Sequence, residues 1–419
     1  MLFEVDNVGT VIKKKIVYIF VRGGGTGMLK SILRSCYQRY RWFVVDLKNF
    51  PWKAWYRLYP VQKNKIVFIC YNGKNYSCNP KYIAEEIMSQ ELDYDLVWLL
   101  RDMREYVPDR IRKVPFDSKK ALYELATAKV IITNTKNDLR VFKKKKQYII
   151  HTWHSSFEPK KLEKEAEDKL PKRYIKESKK NSKQTDLFLS NSAMMTEYYR
   201  RAFWCESEIM ECGYPRNDVL FNWDRNIPKQ VRKELGLLEN SKIILYAPTF
   251  RDDGSRDAFA IDCCGILDAL KTTGDEWFLL VRMHPSILVL PKGMFPYGEH
   301  ILDATSYPDM QKLLLASDIL ITDYSSTVYE FAVLKKPSYI YASDIEAYQK
   351  MRGLNDFYFN MPYPICRTNE ELLKQLRKYT PDSGAASAKV FLKTFGGVDQ
   401  GDAAKQVVER IGLVMEGSL

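Results

Sequence analysis

The sequence predicts an α/β protein of two doubly wound halves that face each other across a cleft, preceded by a basic, aromatic extension. Three observations predict it. Short apolar runs alternate with helical stretches along most of the chain, as in parallel sheets covered by helices. A stretch rich in Gly, Pro, Asn and Asp from Gly213 to Asn226, followed by Pro228, interrupts the alternation, which then restarts. The 419 residues are 46% hydrophobic and 28% charged, which suits two or three folded domains and excludes a disordered or collagenous chain.

The extension covers residues 1–63. It holds 12 Lys/Arg against 3 Asp/Glu, +9 of the chain's net +13. Trp42, Trp52, Trp55, Tyr37, Tyr40, Tyr56 and Tyr59 are interleaved with these charges. That mixture suits an anionic membrane surface, where each basic residue contributes about 1 kcal/mol. A solvated helix with its aromatics packed inward, or a single-stranded nucleic-acid site, would have the same composition. Ile16–Val21 reads as a strand, and Gly23, Gly24, Gly25 and Gly27 precede an apparent helix from Met28. This imitates a dinucleotide fingerprint, but the spacing is not G-x-G-x-x-G and no Gly-Lys-Ser/Thr follows, so a glycine turn is expected. No uncharged apolar run approaches the ~18 residues that cross a bilayer, and no signal core with a cleavage site is seen. Export is not expected. The eight cysteines form no C-x-x-C and no zinc spacing and are expected to be free thiols in a reducing compartment.

The first half is expected over residues 64–225. Its strands are read at Ile66–Cys70, Leu96–Leu100, Val130–Thr133, Tyr148–Ile150, Leu187–Ser190 and Ile209–Cys212, with a helix from about Pro80 to Ser89. The second half, 226–399, repeats the pattern at Lys242–Tyr246, Trp277–Val281, Asp318–Thr322 and Ser338–Tyr341. Residues 400–419 are expected to form a helix that crosses back onto the first half. Two Rossmann-like halves of this kind bind ligands at the carboxyl ends of their strands.

Four loops at such ends carry chemistry. His154 follows one strand in His151-Thr152-Trp153-His154-Ser155-Ser156, and His284 follows another in Arg282-Met283-His284-Pro285. A near-neutral imidazole is suited to take a proton from a hydroxyl nucleophile, and a second can donate to phosphate oxygens. Asp323-Tyr324-Ser325-Ser326 places two hydroxyls before a helix from about Thr327 to Leu334, an arrangement that suits an anion, and Glu330 lies one turn on. Ala247-Pro248-Thr249-Phe250-Arg251 offers a guanidinium for a bidentate phosphate contact. Asp252-Asp253 alone makes no metal site.

Six segments in this order resemble the CDP-glycerol glycerophosphotransferase family of teichoic acid and capsule synthesis. They are Asn72-Gly73 with Asn79-Pro80-Lys81-Tyr82; Thr152-Trp153-His154; Gly213-Tyr214-Pro215-Arg216-Asn217-Asp218; Tyr246-Ala247-Pro248-Thr249 with Arg251; Arg282-Met283-His284-Pro285; and Asp323-Tyr324-Ser325-Ser326 running on to Lys336-Pro337. The resemblance spans about Lys65 to Ile411. It implies a GT-B fold, peripheral attachment to the inner face of the cell membrane, and no metal or other cofactor. It makes His154 the general base on the acceptor, with Asn72, Gly73, Trp153 and Ser155 nearby on the acceptor side. It assigns Thr249, Arg251, His284, Pro285, Ser325 and Ser326 to the donor pyrophosphate, and Asp323 and Glu330 to positioning or ribose contacts. Where the family usually has Asp-Gly-x-Ala, this chain has Gln400-Gly401-Asp402-Ala403.

The implied reaction is attack of an acceptor hydroxyl on the β-phosphorus of CDP-glycerol or CDP-ribitol, with CMP leaving. The expected acceptor is lipid-linked or a polyol phosphate, with no nucleic-acid partner. The stretch 158–183, with 10 Lys/Arg against 6 Asp/Glu, is placed to guide a phosphate-rich acceptor or is a solvated face. Two other readings use the same residues: a nucleotide-sugar glycosyltransferase of the same fold, and a non-catalytic polyanion-binding module.

Overall fold

The structure is a computed structural model that describes residues 50–136, 143–251, 255–284 and 293–418. The chain forms two compact units, Met1–Pro60 and Val61–Leu419. In the smaller unit, residues 50–56 are helical and Trp52 packs against Tyr56 with ring centroids 5.9 Å apart. Phe50, Trp55 and Leu58 are exposed. The glycine turn at Gly23–Gly27 and its flanking strands lie outside the described residues.

The larger unit holds two wholly parallel sheets. Strands β1 (Lys65–Ile69), β2 (Asp95–Leu100), β3 (Arg112–Pro115), β4 (Val130–Thr133), β5 (Tyr148–His151), β6 (Leu187–Ser190) and β7 (Glu208–Glu211) assemble in the order β3-β2-β1-β4-β5-β6-β7. Strands β8 (Lys242–Ala247), β9 (Trp277–Val281), β10 (Ile301–Asp303), β11 (Ile319–Thr322), β12 (Ser338–Tyr341) and β13 (Ile365–Cys366) follow as β10-β9-β8-β11-β12-β13. Strand order reverses between β1 and β4 and between β8 and β11, so each sheet has a crevice at that point.

The central strands are continuous β-branched and aromatic runs because helices cover both faces. Every residue of β1 is buried, Lys65 included; its ammonium is held by Glu124 at 2.6 Å and Thr127 Oγ1 at 3.0 Å. A buried charge is tolerated only with such partners. Three edge strands, β3, β10 and β13, are absent from the sequence reading. They are short, and in β3 only Val114 is buried, so hydrophobic pattern carries little signal there.

The helix Ala403–Glu416 buries Val407, Val408, Ile411 and Val414 in the core of the first sheet. Its own N-cap, Asp402, makes no side-chain cap bond. Instead the Asp218 carboxylate accepts from the N–H groups of Ala403 (3.1 Å) and Ala404 (2.7 Å), satisfying donors that a helix start leaves open. Among the described residues, no helix is long and apolar enough to cross a membrane.

Candidate active site

Loops at the carboxyl ends of both sheets line one cavity of about 580 Å³, including Tyr71 after β1, Thr135 after β4, His154 after β5, Thr249 after β8, His284 after β9 and Ser325 after β11. The loop after β1 turns sharply. Tyr71, Asn72 and Gly73 have φ of 43°, 58° and 78°, a left-handed run that favours glycine. A Cβ at Gly73 would also sit 2.8 Å from the Phe116 ring. Gly73 is therefore a backbone requirement behind the cleft, whereas Asn72 lines it.

His154 is held by backbone. Its Nδ1 lies 2.7 Å from the Asn134 carbonyl, so the proton belongs on Nδ1 and the second ring nitrogen carries a lone pair. The Asn134 side chain accepts from the Tyr71 N–H at 2.8 Å, joining this loop to the turn after β1. Asn79 steadies the other side: its Nδ2 donates to the Thr152 (3.3 Å) and Trp153 (3.1 Å) carbonyls. Trp153 has φ of 53°, its indole packs on the His154 ring at 4.3 Å, and its Nε1 donates to Glu158 at 2.6 Å. Ser155 also lines the cavity, with its hydroxyl given to the Phe157 carbonyl at 2.8 Å.

The second half supplies hydroxyls and a second imidazole. His284 packs on Phe250 at 4.7 Å. Thr249 Oγ1 is buried and finds no hydrogen-bond partner among the described residues, which is costly unless a ligand completes it. Ser325 and Ser326 stand before the helix Thr327–Val333, and both line the cavity. Ser326 makes no side-chain cap bond. Burial holds His154 down to about 4, with Arg216 and Lys160 adding to the effect. It holds His284 down to about 3, helped by Lys160 and His154. Both rings are neutral at physiological pH.

Arg251 is a correction to the sequence reading. Its guanidinium is 2% exposed and does not line the cavity. It binds Asp344 through Nε (2.6 Å) and Nη2 (3.0 Å) and Asp323 at 3.0 Å, packed over Tyr324 and Tyr348. A fork shaped for phosphate is equally shaped for carboxylate, and two carboxylates occupy it. Asp323 is likewise committed: it also accepts from the N–H groups of Thr249 (2.8 Å) and Tyr324 (2.6 Å). Arg251 and Asp323 thus shape the Thr249 loop from behind. Pro285 and Asp252-Asp253 lie outside the described residues. Among those described, no cluster of His, Cys, Asp and Glu could hold a metal.

The sequence reading named Arg216 without a role. It pairs with Glu330 across the cleft floor, and both are buried. Ser156 Oγ lies 3.1 Å from the same carboxylate, and Gln311 Nε2 donates to its other oxygen at 2.8 Å. Burial raises the Glu330 carboxyl's affinity for a proton while Arg216 opposes it. Glu330 thereby ties Ser156, just past His154, to the helix that follows Ser325 and Ser326. Lys81 pairs with Asp309, which also lines the cavity, and Tyr82 donates to the same carboxylate at 3.1 Å. Asp399, fully missed, accepts from the Tyr214 N–H (2.9 Å), Asn217 Nδ2 (3.2 Å) and Tyr329 OH (2.8 Å). It stands just before the Gln400-Gly401 departure from the family pattern.

Comparison with known proteins places the chain in a family. The teichoic acid poly(glycerol phosphate) polymerase of Bacillus spizizenii is 33% identical over 374 residues, 84% of this chain and 93% of that protein. The polymerase of the same name from Staphylococcus epidermidis is 33% identical over 372 residues, and there the chain spans about half (51%) of the relative's length. The solved wall teichoic acid polymerase TagF, in a histidine variant soaked with CDPG, superimposes with a TM-score of 0.78 at 30% identity, covering 91% of this chain and 98% of that one. The fold is therefore the GT-B type, as expected. Residues 53–413 match the family described as CDP-Glycerol:Poly(glycerophosphate) glycerophosphotransferase, and this chain belongs to that family.

Proposed function

We propose that the protein transfers glycerol phosphate from CDP-glycerol to a hydroxyl of a polyol-phosphate or lipid-linked acceptor, in synthesis of a teichoic-acid-type wall polymer. One observation carries the reading: a neutral imidazole, His154, fixed through Nδ1 to the Asn134 carbonyl, shares a cavity with His284, Thr249, Ser325 and Ser326. The acceptor hydroxyl gives its proton to the second nitrogen of His154. Its oxygen forms a bond to the β-phosphorus while the bond from that phosphorus to the bridging oxygen breaks, and CMP leaves with the electron pair. The His284 N–H and the hydroxyls of Thr249, Ser325 and Ser326 stabilise charge on the pyrophosphate oxygens. Bound phosphate raises the basicity of His154, since an anion nearby favours the imidazolium. The reaction as written uses protein groups alone and no covalent intermediate.

Incubation of the purified protein with CDP-glycerol, and separately with CDP-ribitol, tests this reading by CMP release with and without a lipid-phosphate acceptor. Acceptor-dependent CMP from CDP-glycerol is expected. Absence of both CMP release and CDP binding with either donor would overturn the transferase reading.

The protein is further inferred to work on the inner face of the cell membrane, docked through residues 1–63. The +9 charge of that stretch and the exposed Phe50, Trp55 and Leu58 support this. Flotation with vesicles containing phosphatidylglycerol, but not with purely zwitterionic ones, is the expected outcome.

A further inference from the structure

We infer that Lys74 and Arg282 grip the β-phosphoryl group of the donor from the two sides of the cleft while it is transferred. The inference rests on the transfer reaction proposed above and adds two residues to it. Both line the cavity that holds His154 and His284. Lys74 follows β1 in the first half, and Arg282 follows β9 in the second. Each is fixed through its backbone. The Lys74 N–H donates to the Cys70 carbonyl at 3.1 Å, closing the turn. The Arg101 N–H and Nε hold the Gly73 and Asn72 carbonyls of that turn, each at 2.7 Å. The Lys74 side chain is exposed and makes no hydrogen bond or ion pair among the described residues. The Arg282 N–H donates to the Tyr246 carbonyl at 2.8 Å, and the Met283 N–H to Thr305 Oγ1 at 3.1 Å. The Arg282 guanidinium commits Nη1 to the carbonyls of Ala304 (3.1 Å) and Tyr307. These neutral oxygens orient the fork and leave its charge uncancelled. Its Nε and Nη2 make no hydrogen bond among the described residues.

The carboxylates that line the cavity have donors of their own. Glu158 takes the Trp153 indole N–H, and Glu163 takes the hydroxyls of Tyr174 and Ser178. Asp309 takes the Lys81 ammonium and Glu330 the Arg216 guanidinium. The charges of Lys74 and Arg282 both reach the His284 ring and oppose its protonation. Two cations from opposite halves thus converge on one neutral imidazole, and they repel each other unless an anion lies between them. The β-phosphoryl group has to pass through that region, because it leaves the nucleotide held by the second half for the hydroxyl activated by His154 in the first. As the acceptor oxygen bonds to the β-phosphorus, its proton goes to His154. The bond from that phosphorus to the bridging oxygen breaks, and CMP takes the electron pair. Charge spreads over the non-bridging oxygens in that step, where fixed cations act most strongly. The Arg282 fork suits two of these oxygens, and Lys74 acts as a point charge on the acceptor side.

The test compares CMP with CDP, which differ by the β-phosphate alone, in calorimetry on the full-length protein. Lys74→Ala and Arg282→Ala should each weaken CDP roughly tenfold, the effect of one lost charge-assisted contact, and leave CMP affinity unchanged. Lys74→Arg should keep the preference for CDP. Arg282→Lys, which retains the charge without the fork, should fall between and serves where Arg282→Ala does not fold. In transfer from CDP-glycerol to a synthetic glycerol-phosphate trimer, Lys74→Ala should lower kcat by about 10², the usual effect of removing one fixed donor from developing charge. Acceptor KM should stay unchanged. Variants that melt like the wild type and keep its full preference for CDP overturn the inference alone. Equal losses for CMP and CDP also overturn it, by placing the cations on the rest of the nucleotide, and so does a rise confined to acceptor KM. A wild-type protein that binds CDP more tightly than CMP yet transfers nothing to any acceptor overturns the reaction reading instead.

Discussion

Arg216 and Glu330 form a buried ion pair across the floor of the cleft, joining the Tyr214–Asp218 segment of the first half to the helix behind Ser325 and Ser326. Removing either partner leaves the other charged and out of water. Arg216→Met or Glu330→Leu should each cost about 3–5 kcal/mol, while the double variant should cost less than the sum. Urea unfolding of all four proteins measures this coupling; simple additivity would mean that the two side chains act independently.

His154 carries the chemical step in the proposed mechanism. His154→Ala should lower transfer by at least ~10²–10⁴, the usual contribution of a general base, and leave CDP binding by calorimetry at wild-type affinity. Full activity in that variant would rule the assignment out.

The same histidine makes stability depend on pH. Burial holds it down to about 4, whereas an unfolded histidine titrates near 6.5. Its contribution is complete above about pH 6.5 and is lost as pH falls toward 4, because the unfolded chain takes up the proton first. Wild type should therefore lose more stability than His154→Asn between pH 7.5 and pH 5. Parallel losses in thermal melts at the two pH values would contradict the neutral, enclosed ring.

Arg251 is assigned to architecture, and its substitution should read out as instability. Arg251→Ala strands two carboxylates and should cost ~3–5 kcal/mol of stability, the range for a broken buried pair, and so lower the melting temperature markedly. Arg251→Lys keeps the charge but loses the fork and should fall between. A variant that melts normally yet binds CDP-glycerol poorly would return Arg251 to the donor site.

Much of the fold was legible because central strands such as Ile66–Ile69 and Ile319–Thr322 are apolar without interruption. The edges were not: β13 is only Ile365–Cys366. His154, His284, Ser325 and Ser326 were legible because each directly follows a strand, where a sheet of this type opens. Arg251 was misread because its sequence neighbours say nothing of Asp344, which arrives from a distant loop. Asp399 was invisible for a related reason: its three donors, Tyr214, Asn217 and Tyr329, come from two distant stretches of chain. Local pattern reports which face of an element is apolar, and it does not report which far side chain completes a polar group.

The last helix has a consequence for the order in which the chain is made. Val407, Val408, Ile411 and Val414 complete the core of the first sheet, yet the ribosome makes them after every strand of both sheets. The first half therefore emerges with an uncovered apolar face and waits for the whole second half before it can close, a period in which exposed core invites association. A chain ended at residue 402 should accumulate as insoluble material although both sheets are intact in sequence. Supplying residues 403–418 as a separate peptide during refolding should restore solubility; a truncated chain that stays soluble and monomeric would show that the first half closes without it.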